Sequence, residues 1–111
     1  MDTSRAVTAL SALAQTSRLA VFRHLVEAGP QGAYPGDIAH RLDVPANTLS
    51  FHLKALSHAG LIEAEQQGRF IRYRANFVAM QALVGFLTEN CCGGDPAQCA
   101  PAVTGVCAVV E

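Results

Sequence analysis

"PGDIAHRLDVPANTLSFHLKALSHAGLIEAEQQGRFIRYRAN", residues 35–76, decides the fold. Pro35 suits the first turn of a short helix, since the N–H it lacks is one that a helix start leaves unbonded anyway. In "PGDIAHRL" Ile38 and Leu42 fall on one face. "DVPA" is a tight connection, and Pro45 is tolerated where the next helix begins. That helix runs from about Ala46 to Ala59, with Leu49, Leu53 and Leu56 as its apolar stripe and Gly60 as its stop. The period then changes. Ile62, Ala64 and Gln66 alternate, and so do Phe70, Arg72 and Arg74 across "QQGR", which is the pattern of a β-hairpin. Two short helices joined by a tight turn and followed by a basic hairpin make a winged helix-turn-helix, mainly α with a small β-hairpin wing.

Upstream, Leu10, Leu13 and nearby alanines read as a short first helix, interrupted near Gln15 and Thr16. Thr16 or Ser17 can cap a second helix, on which Leu19, Phe22, Leu25 and Val26 recur at helical spacing until Gly29-Pro30. "QGAY" is a loop. Downstream, Asn76 caps a last helix whose Phe77, Met80, Leu83, Val84 and Leu87 face one way. Val78 and Phe86 widen that apolar face beyond what one partner layer needs. The tail after it is rich in Gly, Ala, Val and Pro, and weakly patterned.

The 111 residues make one domain, and half of them are hydrophobic, which argues against disorder. No stretch approaches the roughly 20 apolar residues that span a bilayer. Asp2, ahead of the first arginine, makes the start a poor signal peptide, so a cytoplasmic protein with reduced thiols is expected. Net charge is −1, but residues 47–74 set Lys54, Arg69, Arg72 and Arg74 against only Glu63 and Glu65. Residues 75–111 hold no Lys or Arg. The positive excess therefore sits on the reading helix and the wing.

With about 100° per residue, Asn47, Ser50, Phe51, Lys54 and His58 point away from the leucine stripe, with Thr48 and His52 on the flanks. Asn and Ser hydrogen-bond base edges, Lys54 neutralises a phosphate, and an outward Phe51 packs on thymine methyls. Arg69, Arg72 and Arg74 supply salt-dependent contacts to the backbone, Arg72 and Arg74 from one face of the strand. Double-stranded DNA is the expected partner. His24 and His40 read as half-buried helix residues without a metal-spaced partner.

"LAQTSRLAVFRHL" (13–25), the 35–62 phrase and "QQGRFIRYRAN" together resemble the ArsR family of metalloregulatory repressors, over roughly residues 5 to 90. The resemblance implies a homodimer held by the first and last helices. It also implies a palindromic operator and release of DNA when an inducer arrives. The surplus apolar face of the last helix agrees with such a dimer. Residues 1–90 would then form the DNA-binding and dimerisation domain, and residues 91–111 a flexible inducer-binding tail. Two family sites do not carry over. "GDIAHRLDV" (36–44) lacks the Cys-x-Cys pair of many relatives, and "NFVAMQALVGFLTEN" (76–90) lacks the histidines with which others bind zinc.

Cys91, Cys92 and Cys99 remain, an arrangement that resembles arsenic-responsive members with three thiols at the end of the last helix. Trivalent arsenic, and antimony with it, is soft and takes three sulfurs as a pyramid, which thiolates favour. Adjacent cysteines give two sulfurs, and Gly93, Gly94 and Pro96 allow the chain to return with a third. Zinc prefers four ligands from closely paired cysteines. Here the gaps are none, six and seven residues, Cys107 being a fourth ligand or a spare. A redox switch through Cys99, a zinc sensor and an unreactive tail stay open as alternatives to an arsenical inducer. Enzyme chemistry is not expected, because no Cys-x-x-Cys sits on a βαβ scaffold and no histidine follows His58.

Overall fold

Asp2 opens the first helix, α1 (Thr3–Leu13), by accepting a hydrogen bond from the Arg5 N–H at 2.8 Å. The structure, a computed structural model, describes residues 1–95 and residue 97. Along α1 the buried residues are Ala6, Ala9 and Ala12, a stripe of small side chains that lets neighbouring backbone come close. Leu10 stays exposed. The chain breaks at Ala14, and α2 (Thr16–Ala28) begins with Gln15 as its cap, the side-chain oxygen accepting from Arg18 N–H at 2.8 Å. The expected caps Thr16 and Ser17 lie already inside the helix. Val21, Phe22 and Leu25 are its buried stripe, and Leu19, expected there, is exposed.

Gly29 ends α2 with φ +74, and a short 3-10 turn, Gly29–Gln31, follows. The loop after it holds more than the sequence suggests. Ala33 pairs with Tyr73 through both backbone hydrogen bonds, at 2.8 and 2.9 Å, so the segment adds a one-residue bridge to the wing. Gly32 makes that approach possible: its φ is +67, and a Cβ there would collide with the Tyr73 carbonyl oxygen.

Helix α3 (Pro35–Leu42) starts on proline as expected and buries Ile38. Asp43, in the left-handed region at φ 53, ends it, and Pro45 precedes α4 (Ala46–His58). Leu49, Leu53 and Leu56 of α4 are all buried against the core. Gly60 (φ +77) then stops α4 in a Schellman turn: Gly60 N–H bonds to Ser57 O at 3.0 Å and Leu61 N–H to Leu56 O at 3.1 Å. Leu56 and Leu61 are both buried, the apolar contact that accompanies this motif.

Strands β1 (Ile62–Gln67) and β2 (Phe70–Ala75) pair antiparallel from Ile62↔Ala75 to Gln67↔Phe70. That register leaves Gly68-Arg69 as a two-residue turn, with Gly68 at φ +64 as such hairpins require of their first central residue. Asn76 joins the wing to α5 (Phe77–Leu87). Its Oδ1 accepts from Ala79 N–H at 3.1 Å, while its Nδ2 donates to Gly60 O at 3.1 Å. The core gathers α1, α2, α3, α4, the base of the wing and Leu83 of α5. Among the described residues, no helix is long and apolar enough to cross a membrane.

Candidate nucleic-acid interface

Burying three leucines on one side of α4 forces its other side outward. Asn47, Thr48, Ser50, Phe51, Lys54 and His58 are all exposed. Phe51, at 68% exposure, stands out among polar neighbours. Asn47 is partly occupied, because its Oδ1 accepts from the Thr48 N–H at 2.9 Å.

His52 departs from the expectation. It is only 6% exposed, packed inward instead of standing on the flank of the outward face. Burial first, and then the Arg18 charge, lower its pKa below the ordinary histidine value, and its Nδ1 finds no hydrogen-bond partner among the described residues. A neutral, buried imidazole cannot also meet a base edge in this arrangement. The sequence carried the signal: His52 lies three residues after Leu49 and four before Leu56, the spacing of one helix face. His40, for its part, is exposed where a half-buried residue was expected.

In the wing, Arg69 is exposed on the two-residue turn and makes no ion pair among the described residues. Arg72 and Arg74 do share a face, but they are engaged there. Glu65 Oε1 accepts from Arg72 at 2.7 Å and from Arg74 at 2.8 Å, and Arg74 Nε lies 3.4 Å from Glu63. Hydrogen bonds from Arg72 and then Arg74 hold the Glu65 carboxyl below its usual pKa. The two glutamates are functional neighbours that a count of positive charge overlooks. Their partners were readable, since a two-residue turn sets Glu63 opposite Arg74 and Glu65 opposite Arg72.

Between the start of α3, the first turns of α4 and the wing lies an open groove of about 820 Å³, with Tyr34, Asp37, Ser50, Arg69 and Phe70 among its walls. Tyr34 and Phe70 meet edge to face, centroids 6.2 Å apart and planes at 74°. The groove thus runs from the outward face of α4 to the turn of the wing.

Cys91 and Cys92 sit in a 3-10 turn, Cys91–Gly94, entered through Asn90 at φ 58. Cys92 itself has φ 55, a conformation side chains other than glycine seldom adopt. Thr88, which ends α5, accepts the Cys91 N–H at 3.0 Å. Among the described residues no group of three or more His, Cys, Asp or Glu could hold a metal ion. Cys99 and Cys107, and with them the third expected sulfur and most of the 91–111 tail, lie outside the described residues.

A family model described as a helix-turn-helix domain matches residues 13–65. No curated protein matches the chain. Among solved structures, an ArsR-like transcriptional regulator from Rhodococcus sp. RHA1 is 24% identical, covering 97% of this chain and 94% of its own at a TM-score of 0.69. The homodimeric winged helix-turn-helix DNA-binding domain of Mb0332 from Mycobacterium bovis, a possible ArsR-family transcriptional regulator, is 28% identical. It covers 78% of this chain and 81% of its own, with TM-score 0.62. NolR from Sinorhizobium fredii is 26% identical over 78% of this chain and 83% of its own, with TM-score 0.63. The first of these is described as a transcriptional regulator and the second as a possible one. Helix order, hairpin wing and these likenesses together make the chain a winged helix-turn-helix transcriptional regulator, similar to regulators described as ArsR-like.

Proposed function

We propose that the chain is a dimeric repressor that binds operator DNA and lets go when Cys91, Cys92 and Cys99 bind trivalent arsenic, antimony being an equivalent inducer. The observation that carries this reading is the position of Cys91 and Cys92. They stand on the turn that closes α5, the helix whose Val78, Val84 and Leu87 are exposed to solvent. A ligand drawn to those thiols acts at the end of the surface through which two copies would meet.

The chemistry is ligand exchange. Arsenous acid gives up its three hydroxyls to three thiols, forming three As–S bonds and releasing three waters, with no change of oxidation state. Closing that pyramid pulls the chain after Thr88 toward one point and loosens the last turn of α5. In a dimer the two α4 helices enter successive major grooves, about 34–36 Å apart. A shift at the shared helices changes that spacing. A coupling of about 1–3 kcal/mol changes operator affinity roughly 5–150-fold, and operator DNA must weaken arsenite binding by the same factor.

The test is one gel-shift titration of the reduced full-length chain on its operator with arsenite, antimonite, zinc and peroxide. Arsenite and antimonite should dissolve the complex. Cys91→Ser, Cys92→Ser and Cys99→Ser should each bind the operator and stay bound when arsenite is added. Release by peroxide or zinc alone would replace the arsenical with a redox or zinc signal.

A further inference from the structure

Which side chain on α4 distinguishes one sequence from another? The outward face offers Asn47, Thr48, Ser50, Phe51, Lys54 and His58, and the helix contains no Arg, Gln, Asp or Glu. The side chains that read guanine through a two-pronged contact, or accept from cytosine, are therefore scarce: Lys54 is the one long cation. Asn47 would read adenine through both its oxygen and its nitrogen, but its Oδ1 already accepts the Thr48 N–H. Ser and Thr hydroxyls donate or accept and discriminate weakly. His52 is withdrawn into the core.

Phe51 is what remains. It is the residue on this face with a large apolar surface, and in the monomer nothing covers it, at 68% exposure. Its ring stands edge-on to the buried His52 ring, centroids 6.4 Å apart and planes at 80°, so a buried neighbour backs it. Nor does it belong to the exposed apolar surface of α1 and α5, because it projects from α4 beside Ser50 and Lys54. The floor of the major groove presents one apolar feature, the C5-methyl of thymine.

We infer that Phe51 is the principal base-specific reader, and that the operator holds a thymine in each half-site whose methyl group seats against its ring. This rests on the DNA-binding reading above and deepens it. Sequence choice by this protein is hydrophobic at its centre, with the hydroxyls and Lys54 fixing register around it.

The experiment separates methyl recognition from everything else a thymine offers. Duplexes are selected from a random pool by the reduced full-length chain, and in the winner each thymine is replaced in turn by deoxyuridine, which keeps every hydrogen bond and lacks only the methyl. At one thymine per half-site the wild-type protein should bind about fourfold more weakly, the effect of one buried methyl-sized group. Phe51→Ala should show no uracil penalty at that position, and Phe51→Leu should recover part of it. The salt dependence should be the same for all three proteins, because the phosphate contacts are untouched. Uracil tolerated at every position, or a penalty that persists in Phe51→Ala, overturns the inference and leaves DNA binding standing. A pool from which nothing is enriched overturns both.

Discussion

Gly32 and His52 show how single residues fix more than their neighbours reveal. Gly32 needs both a positive φ and the absence of a Cβ, since the Tyr73 carbonyl occupies that space. Gly32→Ala should therefore lower stability by about 1–3 kcal/mol, seen as a reduced urea midpoint with little change in slope. Nothing in "QGAY" announces this, because the clash is with a residue 41 positions further along the chain. His52 behaves differently. Its pKa is lowered on folding, chiefly by burial and next by Arg18. The folded state thus binds fewer protons than the unfolded one, and stability falls as pH drops below about 6.5, where the unfolded imidazole charges. His52→Leu, which removes the titrating group, should flatten that acid slope in thermal melts between neutral and acidic pH. The leucines of α4 were legible because three apolar residues at helical spacing have one explanation. A polar residue among them was read by its chemistry instead of by its spacing, and so was placed on the flank instead of in the core.

Among elements, the wing changes most when geometry is added to sequence. Its strands, turn and shared arginine face follow from alternation and from Gly68. What charge counting did not give is that Glu65 holds Arg72 and Arg74 together, leaving Arg69 as the wing's unengaged cation among the described residues. Two outcomes distinguish these roles. Arg69→Ala should weaken binding to any duplex and flatten the plot of log K against log salt by about one unit. Glu65→Gln should steepen that plot by about one to two units, as Arg72 and Arg74 turn to phosphates. It should also raise affinity for unrelated DNA more than for the operator. An unchanged slope in Glu65→Gln would mean that the wing arginines face away from the duplex. The helix-turn-helix itself was fully legible, since Pro35, Asp43, Pro45 and Gly60 punctuate it in ways that depend only on local backbone preferences.

At the scale of the molecule, the surface to explain is α5 with α1. In "FVAMQALVGFL" only Gln81 is polar, yet only Leu83 is buried, and Val78 and Leu87 are 81% and 57% exposed. An apolar helix left this bare is the surface that a second copy would cover in the proposed dimer. The thermal midpoint of the wild-type chain should rise with protein concentration, as mass action requires of a dimer. Leu87→Glu, exposed and so harmless to the monomer's core, should sediment as a monomer, lose operator affinity and melt independently of concentration. The sequence foretold this surface by its surplus of apolar residues; of the expected sulfur site, Cys91, Cys92 and Cys99, the third residue lies outside the described residues. Asn76 links the start of α5 to the turn that ends α4. Its carboxamide oxygen closes the start of α5 while its nitrogen holds the Gly60 carbonyl in the turn that ends α4. One amide is thus a rivet between two rods, and tilting either without the other shears it: the helix with the bare apolar face and the helix with the exposed polar face swing on a common pin.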